Sequence, residues 1–312
     1  MKSLRIHHRL LIFLTASLVV TCVISPWMAL GADWFADRWP TLLPERVPFA
    51  KVFNRAFMIA GILLFIIYRR ILLPAELKRL LTTGARTAWR NFSIGWGLAL
   101  FSMVLLGAAM TAADVFTPYF RVSLEKALSR IASALAAGVF VGFLEELFFR
   151  GILFLGLREY GPPLRAYLLA NLFYAALHFV KPGDDYFLQG PDLFAGFRHL
   201  LTTFDPFLDP LEILPGIIGL FLIGIVLSYA LARTGNLYLS IGLHAGWIFS
   251  LQTFRVFGNF SRRDLGWAFG STDPKIVSGV VTWIGILLVA AAISRITRSA
   301  PFASGQPPAR AV

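Results

Sequence analysis

The sequence predicts an all-α, polytopic membrane helix bundle of about eight transmembrane helices, and three observations carry that prediction. Hydrophobic residues fill 57% of the 312 positions and charged residues 15%, with a mean hydropathy of +0.70. That balance leaves too little polar surface to coat a soluble domain of this size. Apolar runs recur at about 20 residues, the length a helix needs to cross a hydrocarbon layer of roughly 30 Å. The basic residues are scattered between these runs, as in YRRILLPAELKRLLTTGARTAWR. The formal net charge of +12 therefore reads as loop charge that sets topology and meets anionic headgroups, with no nucleic-acid partner.

A basic leader, 1–9 (MKSLRIHHR), precedes the first span near 10–30 (LLIFLTASLVVTCVISPWMAL). This apolar run is long for a secretory signal, and no clear small-x-small site follows it closely, so it reads as a retained span. The stretch ALGA at 29–32 is what speaks for a cleaved leader instead. Cys22, the one cysteine, excludes both an internal disulfide and a cysteine metal cluster. The second and third spans lie near 52–73 and 92–113 and complete an N-terminal transmembrane block, 10–113. The fourth, near 133–157, contains GFLEELFFRG (Gly142–Gly151), and the fifth runs near 164–180. The 181–210 loop, with KPGDDYF and FDPFLDP, reads as a cap or re-entrant element. Spans near 213–232, 236–252 and 276–294 follow, and the tail 299–312 is disordered by composition. No internal repeat of the transporter kind is visible.

Basic residues near the span ends orient the chain. Arg69, Arg70, Lys78, Arg79, Arg86, Arg90, Arg233, Arg295 and Arg298 fall on one side. Asp184, Asp185, Asp192, Asp205 and Asp209 fall on the other, together with Arg38, Arg121, Lys126, Arg262 and Arg263. The reading is an integral membrane protein of a bacterial inner membrane with both termini cytoplasmic.

Ionisable groups in hydrocarbon face a protein interior or a wet cavity by default. Glu145, Glu146, Arg150, His178 and His244 are such groups. With cytoplasmic span ends near 157, 164 and 236, a rise of about 1.5 Å per residue puts Glu145 about 18 Å deep, His178 about 21 Å and His244 about 12 Å. Three helices thus bring ionisable groups to similar depth, which argues for one polar cavity among the fourth, fifth and seventh. Glu146 and Arg150 are four apart and pair on one helix face, while Glu145, rotated by about 100°, lacks that partner and is left for chemistry. A desolvated carboxylate moves toward the behaviour of a general base. Asn171, Tyr174 and His178 form a polar stripe on the fifth span, and Ser240 lies one turn before His244. Plainer readings stand beside this one: a glutamate–arginine pair often only locks helices, and a membrane histidine is often only packed. His199, in FRHLL, reads as a loop residue.

EELFFR (Glu145, Glu146, Arg150) has the EExxxR form of the CAAX protease and bacteriocin-processing family, also called CPBP or Abi, and the chain resembles that family of intramembrane proteases over about 131–252. Its second motif, FxxxH, corresponds to YAALH, Tyr174 to His178, with tyrosine in place of phenylalanine. Its third, HxxxN or HxxxD, corresponds to HAGWI, His244 to Ile248, with isoleucine in place of the amide or acid. The resemblance implies endoproteolysis by a glutamate-activated water. On it, Glu145 with His178 would deprotonate the water, His244 would hold the oxyanion, and Glu146, Arg150, Tyr174 and Asn171 would support the site. Asn171, Trp247 and Gln252 are the replacement donors considered for Ile248. The substrate would be a membrane-embedded or lipidated protein or peptide. No cofactor is favoured, although Glu145, His178 and His244 together also form a zinc-type ligand set. Two other functions remain open: a catalytically weak or inactive relative acting as an immunity or regulatory protein, and a proton-coupled transporter. Oligomeric state is not legible.

Overall fold

The structure, a computed structural model, describes residues 6–39, 46–72, 77, 80–159, 161–180, 186–262, 264–270 and 276–297. The first five residues of the leader, the 299–312 tail, and Lys78, Arg79, Asp184, Asp185, Arg263 and Arg298 lie outside the described residues. Among the described residues the fold is all-α apart from one short ribbon. Its helices are α1 (Ile6–Arg38), α2 (Phe49–Leu72), α3 (Ala85–Ala112), α4 (Leu124–Glu146), α5 (Leu155–Glu159), α6 (Pro163–Leu177), α7 (Ala195–Thr202), α8 (Pro210–Thr234), α9 (Tyr238–Phe257), α10 (Gly266–Phe269) and α11 (Val280–Ile296). A π-helical segment, Leu147–Phe154, joins α4 to α5 without a break. The ribbon pairs β1 (Phe116–Pro118) antiparallel with β2 (Gly258–Phe260).

Five described helical stretches are long and apolar enough to cross a membrane: α1, α2, α3, the continuous 124–159 rod, and α8. Their outer faces carry large apolar side chains, among them Ile67, Phe101 and Val104, which suits lipid as the neighbour. The other three expected spans correspond to α6, α9 and α11, of 15, 20 and 17 residues. The chain is an integral membrane protein.

The chain divides into two compact units, Met1–Pro74 with Ala176–Leu214, and Ala75–Ala175 with Pro215–Val312. In the first, α1 packs on α2 and α7, around a core that includes Cys22, Phe49, Val52, Phe53, Leu188 and Ala195. Cys22 is free and buried. At the α1–α7 crossing, a Cβ on Gly196 would stand 2.1 Å from the Cys22 carbonyl oxygen, so only glycine admits the contact. His199 is a buried residue of α7, against the rings of Phe49, Phe53 and Tyr186. That differs from its expected place on a loop surface, because the rings covering it come from distant sequence.

In the second unit α9 is the central helix, packed mainly on α3 and α4. Its core joins Ala99 of α3, Val226, Leu227 and Ala230 of α8, Leu239 and Leu243 of α9, and Ile286, Val289 and Ile293 of α11. Gly235 ends α8 at φ +65°, its amide donating to the Leu231 carbonyl at 2.8 Å. This left-handed stop, which glycine takes without strain, turns the chain back into α9.

Candidate active site

Glycine spacing sets the depth and rotation of α9. On α4, Gly138, Gly142 and Glu146 recur every four residues and so share a face. A Cβ on Gly138 would sit 2.8 Å from the Ala245 carbonyl oxygen, and one on Gly142 would sit 2.9 Å from the Ala245 amide nitrogen. The two backbones therefore touch, as small-residue stripes allow in membranes. On its other side α9 is equally close to α3, where a Cβ on Gly242 would lie 2.1 Å from the Phe92 carbonyl oxygen. One turn beyond Gly142, the same α4 stripe presents Glu146 to His244.

Glu146 Oε1 accepts two bonds, from Arg150 Nη1 at 2.9 Å and from His244 Nδ1 at 2.8 Å. Glu146 and Arg150 are fully buried. Arg150 lies in the π segment, which starts directly after Glu146; such widened turns concentrate at functional positions. Its Nη2 donates to the Gly224 carbonyl of α8 at 3.2 Å, and its guanidinium carbon stands 4.6 Å from the Tyr174 ring centroid. Asn171 packs against Gly224, donates to the Tyr167 carbonyl at 2.8 Å, and accepts from Ser228 Oγ at 3.1 Å. The buried charges thus tie α4 and its π extension to α8 and α9, while Asn171 ties α6 to α8.

Glu145 differs from its neighbour. Its side chain is 28% exposed, where that of Glu146 is 0%. Its Oε2 lies 3.8 Å from His244 Nε2, too far for a direct hydrogen bond. A water bonded to both atoms at about 2.8 Å would span that gap with an angle of about 85°. The Tyr174 hydroxyl makes a long contact with the same Nε2, at 3.5 Å. Tautomer logic follows from these partners. An ionised carboxylate only accepts, so the bond to Glu146 assigns a proton to Nδ1, and in the neutral tautomer a lone pair on Nε2 faces Glu145 and Tyr174.

Most of the residues expected at the site meet here: Glu145, Glu146, Arg150, Tyr174 and His244, with Asn171 one contact away. His178 follows α6 directly. Helix α6 ends at Leu177 instead of running on to 180, and His178 starts the following turn, in which the Phe179 amide bonds the Ala176 carbonyl at 3.0 Å. It belongs to the first compact unit. The pairing of Glu146 with His244 went unread in the sequence; its signal was the spacing of Gly138, Gly142 and Glu146. Of the donors considered in place of Ile248, Asn171 is bonded as above, the Trp247 indole donates to Ser102 Oγ at 3.1 Å, and Gln252 is exposed.

Among the described residues no group of three or more His, Cys, Asp and Glu is placed to hold a metal ion. A cavity of about 360 Å³ opens elsewhere in the second unit, lined by apolar residues of α3, α9 and α11 such as Leu98, Trp247 and Val281.

Residues 127–250 match the family described as type II CAAX prenyl endopeptidase Rce1-like. The matched segment runs from α4 into α9 and contains every residue of the network above. No curated protein matches the chain, and no solved structure does. The match covers 124 of the 312 residues and is a likeness to CAAX-type endopeptidases.

Proposed function

We propose that the protein is an endopeptidase that hydrolyses a peptide bond of a membrane-anchored or lipidated protein or peptide through a water activated by Glu145. The observation that carries this reading is the pairing of Glu145 Oε2 with His244 Nε2 at 3.8 Å, while Nδ1 of the same ring is held by Glu146 at 2.8 Å. A water between the two would donate one hydrogen to Glu145 and the other to Nε2, leaving a lone pair for the substrate carbonyl carbon. As the C–O bond forms, the water proton passes to Glu145 and the carbonyl electrons move onto oxygen. When the intermediate collapses, the C–N bond breaks and Glu145 returns the proton to the leaving amine. Glu146 orients the imidazole throughout, and the imidazole in turn holds the water against Glu145.

His178 is a further participant in this reading, on the sequence resemblance and on the depth at which the fifth span places it. The mechanism as proposed is metal-free, and both termini are placed in the cytoplasm. The test is cleavage of a prenylated peptide ending in a CAAX sequence by the purified protein in detergent, comparing wild type, Glu145→Gln, His244→Ala and His178→Ala, each with and without a chelator. Cleavage by wild type that survives chelation and disappears in Glu145→Gln supports the mechanism. Loss on chelation would transfer the site to a metal. Ile248, which puts no polar side chain at the position one turn after His244, favours a second reading as a non-catalytic relative; on that reading the wild type cuts nothing.

A further inference from the structure

Resting on the endopeptidase reading, we propose that the Tyr174 hydroxyl is the oxyanion donor of this site. A tetrahedral intermediate needs a hydrogen-bond donor aimed at the oxygen where charge develops, and such a donor is commonly the largest single contribution to rate. The groups around His244 can be taken in turn. Ile248, one turn further along α9, has no polar atom. The Asn171 amide donates to the Tyr167 carbonyl, and its oxygen accepts from Ser228. The Trp247 indole is directed at Ser102. His244 Nδ1–H is bonded to Glu146, and in the tautomer that accepts from the attacking water Nε2 is an acceptor. Glu145 and Glu146, when ionised, only accept.

Tyr174 alone among these brings an O–H to the atom where the reaction is placed. Its oxygen lies 3.5 Å from His244 Nε2, and the residue is 1% exposed. The ring is clamped. Phe149 meets it edge-on at 5.0 Å between centroids, and the Arg150 guanidinium covers a face at 4.6 Å. A clamped phenol gives its hydroxyl one freedom, rotation about the C–O bond, which is what a preorganised donor requires. In the resting site the hydroxyl oxygen stands 3.5 Å from Nε2, within reach of its lone pair. When a water occupies Nε2 and attacks the substrate, the hydroxyl turns to the carbonyl oxygen and hydrogen-bonds the oxyanion without giving up its proton. Proton transfer stays between water, Glu145 and the leaving nitrogen, so atoms and charge balance as before. The tyrosine at 174 thereby supplies the donor that position 248 lacks.

The experiment measures kcat and KM on the prenylated CAAX peptide for wild type, Glu145→Gln, Tyr174→Phe, and Tyr174→Phe combined with Ile248→Asn. Phenylalanine keeps the ring and its contacts and removes only the hydroxyl. The expected result is a fall in kcat of about 100- to 1,000-fold in Tyr174→Phe with KM changed by less than about threefold, the signature of a donor used in the transition state. Ile248→Asn should then restore at least about tenfold, because it returns a donor one turn from His244. A tyrosine that only packs would not be rescued from position 248. If Tyr174→Phe keeps kcat within about threefold of wild type while Glu145→Gln is dead, the Tyr174 role falls and the endopeptidase reading stands. A loss that Ile248→Asn leaves unrepaired, accompanied by a lower melting temperature, likewise removes the Tyr174 role. A wild type that leaves the peptide uncut removes the endopeptidase reading and this inference together.

Discussion

Replacing Glu146 separates what the buried network does for stability from what it does for chemistry. In Glu146→Leu the Arg150 guanidinium stays buried with the Gly224 carbonyl and two aromatic faces, and has no counter-charge. Those remaining contacts already exist in the wild type, so they offset nothing new. Removing one partner of a buried pair costs about 3–5 kcal/mol. His244 Nδ1–H also loses its acceptor, at about 1–3 kcal/mol for a buried donor left unsatisfied. In the double variant Glu146→Leu/Arg150→Met the stranded charge is gone, so only the histidine penalty remains. The double variant should therefore be more stable than Glu146→Leu by about 3–5 kcal/mol. Its activity should stay at least about 100-fold below wild type, because nothing fixes the proton on Nδ1. Stability would be read by denaturant titration of the micellar protein through the fluorescence of its 8 tryptophans, and activity on the CAAX peptide. A double variant no more stable than the single one would show that the pair is not coupled as described. One that regained full activity would show that Glu146 does not orient His244.

Two further outcomes follow from the packing. Gly142→Val places a Cβ 2.9 Å from the Ala245 amide nitrogen, and overpacking of this kind costs about 1–3 kcal/mol. Since Glu146 meets His244 one turn along the same contact, cleavage should fall with stability, whereas Gly97→Ala, which meets nothing within 4 Å, should leave both intact; equal effects of the two would refute the close-approach argument. In the first unit, burial pushes the His199 imidazole below its ordinary value of 6.5, and neither ring nitrogen has a hydrogen-bond partner among the described residues. The unfolded chain then binds the proton more readily than the native one, so the stability associated with a neutral His199 is full above about pH 6.5 and is lost as pH falls below it. His199→Phe should flatten the fall in melting temperature between about pH 7 and 5, and an unchanged fall would exclude His199 as its source.

The helices were legible in the sequence to the extent that hydrocarbon selects for them. Hydropathy found the apolar centre of each span but not its ends. The fourth span was expected from 133, yet α4 starts at Leu124, because the turns bearing Glu125, Lys126 and Arg130 are helical without being apolar. The third was expected from 92, and α3 starts at Ala85 for the same reason, with Arg86 and Arg90 in its opening turns. α6 erred the other way: LHFV reads as apolar through 180, but the helix stops at Leu177 and a turn takes over at His178. His199 shows what no local pattern reports, since the rings that bury it lie about 150 residues upstream (Phe49, Phe53) and 13 residues upstream (Tyr186).

The site was legible where its logic is local. The Glu146–Arg150 pair needs only a spacing of four, and the contrast between the two glutamates needs only the rotation of one helical residue. What spacing within one helix could not supply was the partner of Glu146 across the bundle, because the rotation of α9 is decided by backbone contact. Glycines at 138, 142 and 242 let α4 and α3 close on α9 until main-chain atoms would leave no room for a Cβ. At that separation the histidine next to Ala245 meets Glu146, one turn beyond Gly142, and Nδ1 bonds the carboxylate that already neutralises Arg150. The same closeness leaves Nε2 as the histidine's outward atom, facing the half-buried Glu145 and the Tyr174 hydroxyl. One carboxylate is thus consumed by structure and orientation, and the adjacent one is kept for the water. That division of labour explains why two consecutive glutamates stand in an apolar helix, and it requires each to be replaceable only at a different cost: Glu146 in stability and activity together, Glu145 in activity alone.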